Sequence, residues 1–272
     1  MTSPRDACRL SLISKDFKSA ADSDTVWEKF LPHETNEIIL SQLQSESDES
    51  ALINDVKSKK ELYFTLCQNP ILIEDGNMSF SLDKWSGKKC YMIAARRLRI
   101  AWKDTPEYWT WQSLPDCRFK EAPELRFVIW FEIRGRIETR ILSPSTTYKA
   151  YLVYKLTKRA YGLDWPTKVT VHARAYGFDY ECPGLEELTA DMKNTACLTP
   201  RRKIKGEDAK SQEINEAVFP NESRVDGWLE MELGEFHCQG DEDGELEMIC
   251  CQIRGATGGI LVQGIEVRPK KE

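Results

Sequence analysis

Between Trp102 and Trp111 the chain reads Trp-Lys-Asp-Thr-Pro-Glu-Tyr-Trp-Thr-Trp, which places three tryptophans, a tyrosine and two carboxylates within ten residues. Side chains of these types can act together in one way: an indole face stacks on a flat ligand while Asp104 and Glu107 accept hydrogen bonds from its hydroxyls. The same cluster can equally be the corner of a core, because tryptophan is large and usually at least partly buried. Position in the sequence leaves both readings open.

Reactive side chains elsewhere are scattered. The three histidines, His33, His172 and His237, have no nucleophile at an interpretable spacing, and GxSxG, phosphate-binding and HExxH motifs are missing. We therefore expect no catalytic residues, no cofactor and no enzyme activity. Gly240-Asp-Glu-Asp-Gly244-Glu245 lacks the ligand spacing of a calcium loop and reads as a solvated hairpin turn. Nine cysteines stand at 8, 67, 90, 117, 182, 197, 238, 250 and 251 with no CxxC pair. The number is odd, and His237-Cys238 with Cys250-Cys251 fits no zinc template, so we expect buried thiols and no metal.

Over 272 residues, 41% are hydrophobic and 30% charged, as in an ordinary globular protein long enough for about two domains. A net charge of -6 argues against a broad nucleic-acid footprint, and no apolar run is long enough to span a bilayer. Asp6, Arg9 and Lys15 interrupt what an export signal would need. We expect no nucleic-acid or membrane partner, and the default compartment without an export signal is cytosol or nucleus. Arg201-Arg-Lys-Ile-Lys205 reads equally as a nuclear import signal or a solvated loop.

The elements that must position these residues change type along the chain. Ser3-Pro4-Arg5-Asp6 has the pattern of a helix start, and Leu10, Ile13 and Phe17 recur at helical spacing, extended by Ala20 and Ala21. A short helix is expected from Asp24 to Pro32, a polar loop at 42–50, and a third helix from Ser58 to Pro70 with a Ser58/Glu61 capping box. Asp75-Gly76 between two apolar runs signals a hairpin. The period then becomes two, predicting strands at Leu98–Trp102, Arg126–Leu142, Tyr148–Lys158, Lys168–Tyr176, Trp228–Phe236, Leu246–Ile253 and Gly259–Arg268. Gly135 suggests a bend or bulge between two strands, and residues 177–225 a long insertion. These signals predict an α+β chain, a helical N-terminal part followed by an antiparallel β-sandwich.

The β region resembles the plant phloem lectin family, which includes the Nictaba-type lectins. The resemblance is carried in order by Ala95-Arg96, Ile100-Ala-Trp102, Tyr108-Trp109-Thr-Trp111, Glu124-Leu125, Val128-Ile-Trp130, Ile133-Arg-Gly135, Leu142-Ser-Pro144, Tyr148-Lys-Ala150-Tyr151, Arg224-Val-Asp226-Gly227-Trp228-Leu-Glu230, Leu233-Gly234-Glu235-Phe236 and Val262 to Pro269. Ser3-Pro4-Arg5-Asp6 to Ser11 and Ser23 to Glu28 resemble the second and third helices of F-boxes fused to such domains. Lys59-Lys-Glu61-Leu62-Tyr63 and Gly87-Lys-Lys-Cys90-Tyr91 resemble the connecting region of that fused group. The family's F-box begins with a Leu-Pro element and an apolar first helix, whereas Met1 here falls just ahead of the Ser-Pro-Arg-Asp motif. We expect this shortened F-box to have lost much of its adaptor surface.

The resemblance implies partial F-box helices at 1–45, a helical and hairpin connector at 46–90, and a jelly-roll-like lectin sandwich at 91–270. It implies a substrate-recognition subunit of an SCF-type ubiquitin ligase that captures glycoproteins through GlcNAc oligomers or N-glycan cores. A stand-alone lectin without ligase role, or a sugar-independent interaction module, are the alternatives. The implied sugar-site residues are Trp102, Trp109 and Glu245, and the implied contacts to the SKP adaptor and its cullin complex are Leu10, Trp27 and Leu31. Seven residues after Glu245, where the family has a second acidic position, this chain has Gln252. Trp130 and Trp228 are expected in the core.

Overall fold

The computed structural model describes residues 2–35, 37–39, 56–174, 194–201, 216–222, 224–240, 244–252 and 255–271. The polar stretch at 42–50, most of the insertion, residues 202–205 of the basic cluster and the acidic run at 241–243 lie outside them. The chain divides into two compact units, Met1–Tyr91 and Met92–Glu272.

In the first unit, helix α1 (Pro4–Leu10) begins with a reciprocal cap. The Ser3 hydroxyl accepts the Asp6 N–H at 3.1 Å, and the Asp6 carboxylate accepts the Ser3 N–H at 3.1 Å. One continuous helix through Phe17 does not form. Ser11 donates its hydroxyl back to the Cys8 carbonyl at 2.6 Å, and Ser14 starts a new helix, α2 (Lys15–Ala21), by accepting the Phe17 N–H at 3.2 Å. Such local side-chain bonds compete with helix continuation, and they leave Leu12, Ile13 and Phe17 exposed. α3 (Asp24–Glu28) packs against α4 (Lys59–Gln68), whose Ser58 cap accepts the Glu61 N–H at 3.1 Å. Between them Trp27 is wholly buried, with Phe30, Tyr63 and Phe64 rings at 5.6, 5.1 and 5.2 Å and its indole N–H donated to Ala21. β1 (Ile71–Ile73) and β2 (Met78–Leu82) form the expected hairpin, closed by left-handed Glu74, Asp75 and Gly76.

β3 (Lys89–Ala94) leads into the second unit, which contains β4 (Arg99–Ile100), β5 (Trp109–Gln112), β6 (Ala122–Leu125), β7 (Phe131–Glu138), β8 (Thr146–Tyr161), β9 (Thr167–Arg174), β10 (Asn194–Ala196), β11 (Leu229–Cys238), β12 (Glu245–Gln252) and β13 (Gly258–Pro269). In one sheet β13 lies between β8 and β6, with β11 beyond β8 and β5 beyond β6. The Ala95 N–H, just after β3, donates to Gln263 of β13 at 3.1 Å. The other sheet runs β10-β9-β12-β7-β4, and every named pairing in the unit is antiparallel.

The expected bend or bulge at Gly135 is absent: β7 runs through it in unbroken register with β12. A Cβ there would lie 2.9 Å from Ile265 Cδ1 on the facing sheet and 3.0 Å from Leu98 Cδ2. The glycine therefore makes room for sheet-on-sheet packing. Residues 126–130 make only an isolated bridge, Val128 to Thr257, so the strand begins at Phe131. The insertion is not wholly outside the sandwich, because β10 pairs with β9, and Ala196, Cys197 and Leu198 are buried. Among the described residues no helix is long and apolar enough to cross a membrane.

Candidate functional site

The aromatic cluster divides by burial. Trp102 is 53% exposed and Trp109 is 3% exposed. The division follows from backbone handedness. Ala101 still bonds Glu132 of β7 at 3.0 Å, but Trp102 then turns left-handed, at φ 62, and ends the β4 edge. This conformation is rare for a bulky side chain and persists only when the surroundings impose it.

Two indoles impose it here. The Trp109 N–H donates to the Ala101 carbonyl at 2.9 Å and the Trp111 N–H to the Lys103 carbonyl at 3.2 Å, fixing the residues on either side of Trp102. Lys103 turns its ammonium inward onto the Arg96 and Leu98 carbonyls at 3.1 and 3.0 Å. Trp111 is covered by the Arg96 guanidinium, 3.5 Å from its ring centroid, and Arg96 is held by Glu121 at 2.6 Å. Among the described residues Trp102 has one ring neighbour, Tyr108, at 6.0 Å. Beside it opens a cavity of about 460 Å³ lined by Arg97, Arg99, Trp102, Lys103, Asp104 and Thr105 with the backbone between. An exposed indole next to an exposed carboxylate, Asp104, is an arrangement that can hold a sugar ring by its C–H face and its hydroxyls.

Glu245 is not brought to this cavity. It pairs with Glu138 on β7, whereas the Trp102 turn leaves the sheet beside Glu132, six residues away. At ~3.3 Å per residue that is ~20 Å along the strand. Gln252 lies at the Trp102 end, opposite Phe131, but both its polar atoms are used internally: its amide donates to Gly162 at 2.7 Å and its oxygen accepts from Thr167 at 3.2 Å.

Next to Glu245 the same sheet face carries Glu247, which accepts from Arg136 and Arg174 at 2.9 Å each and faces His172 at 3.2 Å. Burial alone would raise the Glu247 carboxyl, but hydrogen bonds from His172, Arg136 and Arg174 outweigh it and hold it at about 2. A carboxyl lowered on folding stabilises the protein above its ordinary value of 4.5 and ceases to do so as pH falls through about 2. We expect urea midpoints of the second unit to fall across that window, and Glu247→Gln to flatten the fall. An unchanged slope would show that Glu247 is not coupled to folding.

The Asp226-Gly227-Trp228 motif is structural. Trp228 is buried and donates its indole N–H to the Asp116 carbonyl at 2.9 Å. Around it Asp226, Glu230 and Glu266 meet Arg224, Arg268 and Arg118. Arg224 reaches Asp226 at 2.7 Å and Glu266 at 2.7 Å, Arg268 reaches Glu230 at 2.7 Å and Glu266 at 2.8 Å, and Arg118 reaches Glu266 at 3.5 Å. Glu230 of β11 is buried, although it stands between Leu229 and Met231 on the opposite face of the strand. Charges of opposite sign on β13 were the available signal that it is covered. Trp130 is half-buried against Ile249 and Cys251. Of the adaptor candidates, Leu10 and Leu31 are half-buried and Trp27 is inaccessible.

The family model "PP2: Phloem protein 2" matches residues 88–269. The chain is 42% identical to the putative F-box protein PP2-B12 of Arabidopsis thaliana, over 99% of this chain and 92% of that protein. It is 39% identical to F-box protein PP2-B10 and 38% to F-box protein VBF from the same plant, over 99% of this chain and 89% and 94% of theirs.

Proposed function

Because the chain belongs to the phloem protein 2 family and is similar along its length to F-box proteins, we propose that it is a carbohydrate-binding substrate-recognition subunit of an SCF-type ubiquitin ligase in cytoplasm and nucleus. In this reading the second unit captures glycoproteins through GlcNAc oligomers or an N-glycan core. Trp102 is the stacking platform, Asp104 accepts ligand hydroxyls, and Trp109 holds the turn from beneath. Glu245 contributes only to a ligand long enough to span the ~20 Å of sheet between them. The observation that carries the reading is the exposed Trp102 ring, held in a left-handed turn at the mouth of the cavity.

Trp102→Ala is expected to lower affinity for a chitin oligomer about tenfold or more, since a lost ring stack of about 1.5 kcal/mol corresponds to that factor. Stability should change by no more than about 0.5 kcal/mol, as for an exposed side chain. Isothermal titration beside a thermal melt checks both, and unchanged affinity would remove the sugar-site reading.

In the ligase arm, Leu10, Leu31 and the exposed Leu12, Ile13 and Phe17 offer the apolar contact to the SKP adaptor. The complete burial of Trp27 favours a second reading, a lectin acting without a ligase. A pull-down with the adaptor separates the two. No capture by folded protein that still binds glycan leaves only the second.

A further inference from the structure

The Trp102 cavity is lined by Arg97, Arg99, Lys103 and one carboxylate, Asp104. Arg97 is engaged elsewhere, which leaves Arg99 and Lys103 against Asp104. In a chain of net charge -6 this local excess of cations is not a by-product of composition. Lys103 directs its ammonium to two backbone carbonyls, so it acts as a fixed charge. Arg99 is exposed, and among the described residues its side chain makes no hydrogen bond or ion pair. Its cross-strand neighbour is another cation, Arg134, which is already paired with Glu132. Nothing described on the sheet neutralises Arg99.

The hydroxyls of a neutral sugar can accept from these donors, but only as neutral acceptors, whereas a carboxylate makes charge-assisted bonds that are about twice as strong. A sugar carboxylate is planar and accepts two parallel N–H bonds from a guanidinium fork. We propose that the Trp102 site prefers an acidic sugar residue, one bearing a carboxylate, over a neutral one. The ring stacks on Trp102, Asp104 accepts its hydroxyls, and Arg99 receives the carboxylate. This inference rests on the carbohydrate-binding reading above and specifies the class of sugar. Arg99 would be its specificity-determining residue.

The test titrates the full chain with a galacturonate oligomer, a chitin oligomer of equal length and a sulfated neutral oligomer. The galacturonate oligomer should bind about tenfold more tightly than the chitin oligomer, the size expected for one charge-assisted hydrogen-bonded pair. Raising salt should weaken the galacturonate complex selectively. Arg99→Gln should bring the affinity ratio to about one, with an unchanged circular dichroism spectrum confirming the fold. Trp102-dependent binding of the chitin oligomer alone, or a ratio that Arg99→Gln does not move, would overturn the inference and leave the sugar-site reading standing. Equal affinity for the sulfated oligomer would show that charge rather than carboxylate geometry is read, and would overturn it too. Binding of none of the three removes both.

Discussion

Trp109→Ala is expected to destabilise the second unit by about 3–5 kcal/mol, the usual cost of removing a buried large aromatic side chain. For a unit of this size that lowers the melting temperature by roughly 6–20 °C. Two losses combine. The indole volume leaves the packing beside β5, and the Ala101 carbonyl loses the N–H that fixes the residue before Trp102. Glycan affinity should then fall as a consequence, because a freed turn no longer holds Trp102 left-handed. Trp102→Ala should show the reverse order, with affinity lost and melting kept. The pair is to be compared by melting and by titration well below the transition. If Trp109→Ala abolishes binding at an unchanged melting temperature, Trp109 is itself the platform and the division by burial is wrong.

Replacing Glu266 by Ala should also cost about 3–5 kcal/mol, by a different route. Three carboxylates, one of them accepting the Trp228 backbone N–H, face three guanidiniums, and Glu266 contacts all three arginines. Burial would raise its carboxyl, but Arg224, Arg118 and Arg268 hold it below the ordinary range. Without Glu266 the cluster keeps one buried positive charge too many, and removing one partner of a buried pair is far more costly than the pair's own net contribution. Amide exchange in β8, β11 and β13 reads the effect without assuming that both units unfold together. A double-mutant cycle with Arg224→Ala should be strongly non-additive. Simple additivity would show that the two side chains do not share one network.

Both predictions concern residues whose type was plain and whose surroundings were not. What depends on neighbours within a few residues could be read directly: the Ser3 and Ser58 caps, the hairpin around Asp75-Gly76, and the alternating strands β8 and β11. β5 and β6 could not, because Trp109-Thr-Trp-Gln112 and Ala122-Pro-Glu-Leu125 are too short and too mixed to alternate. The break between α1 and α2 was hidden by an apolar stripe that spans it, while two serine hydroxyls decide the matter. In the candidate site, the aromatic cluster and its carboxylates were evident. Which tryptophan faces outward was not, since that turns on the sign of φ at one residue. The distance from Trp102 to Glu245 is a property of strand register, which no spacing along the chain contains. For the same reason the Arg99 and Arg134 pairing became visible only once β4 lay beside β7.

The bulge in β11 has a consequence for life in a concentrated solution. Among the described residues β11 pairs with the strand β8, its other edge is bridged only by Asn221 at Glu230, and its register shifts between Glu232 and Gly234. A sheet's outermost strand offers unpaired N–H and carbonyl groups to any neighbouring molecule that can lie flat against it. Here that strand is kinked at Gly234, and Glu232 and Glu235 are tied to Lys149 and Lys270 at 2.8 Å each. A second copy approaching edge to edge would have to straighten the kink before its backbone could pair. The irregularity that disturbs one ladder thereby keeps neighbouring molecules from joining theirs to it.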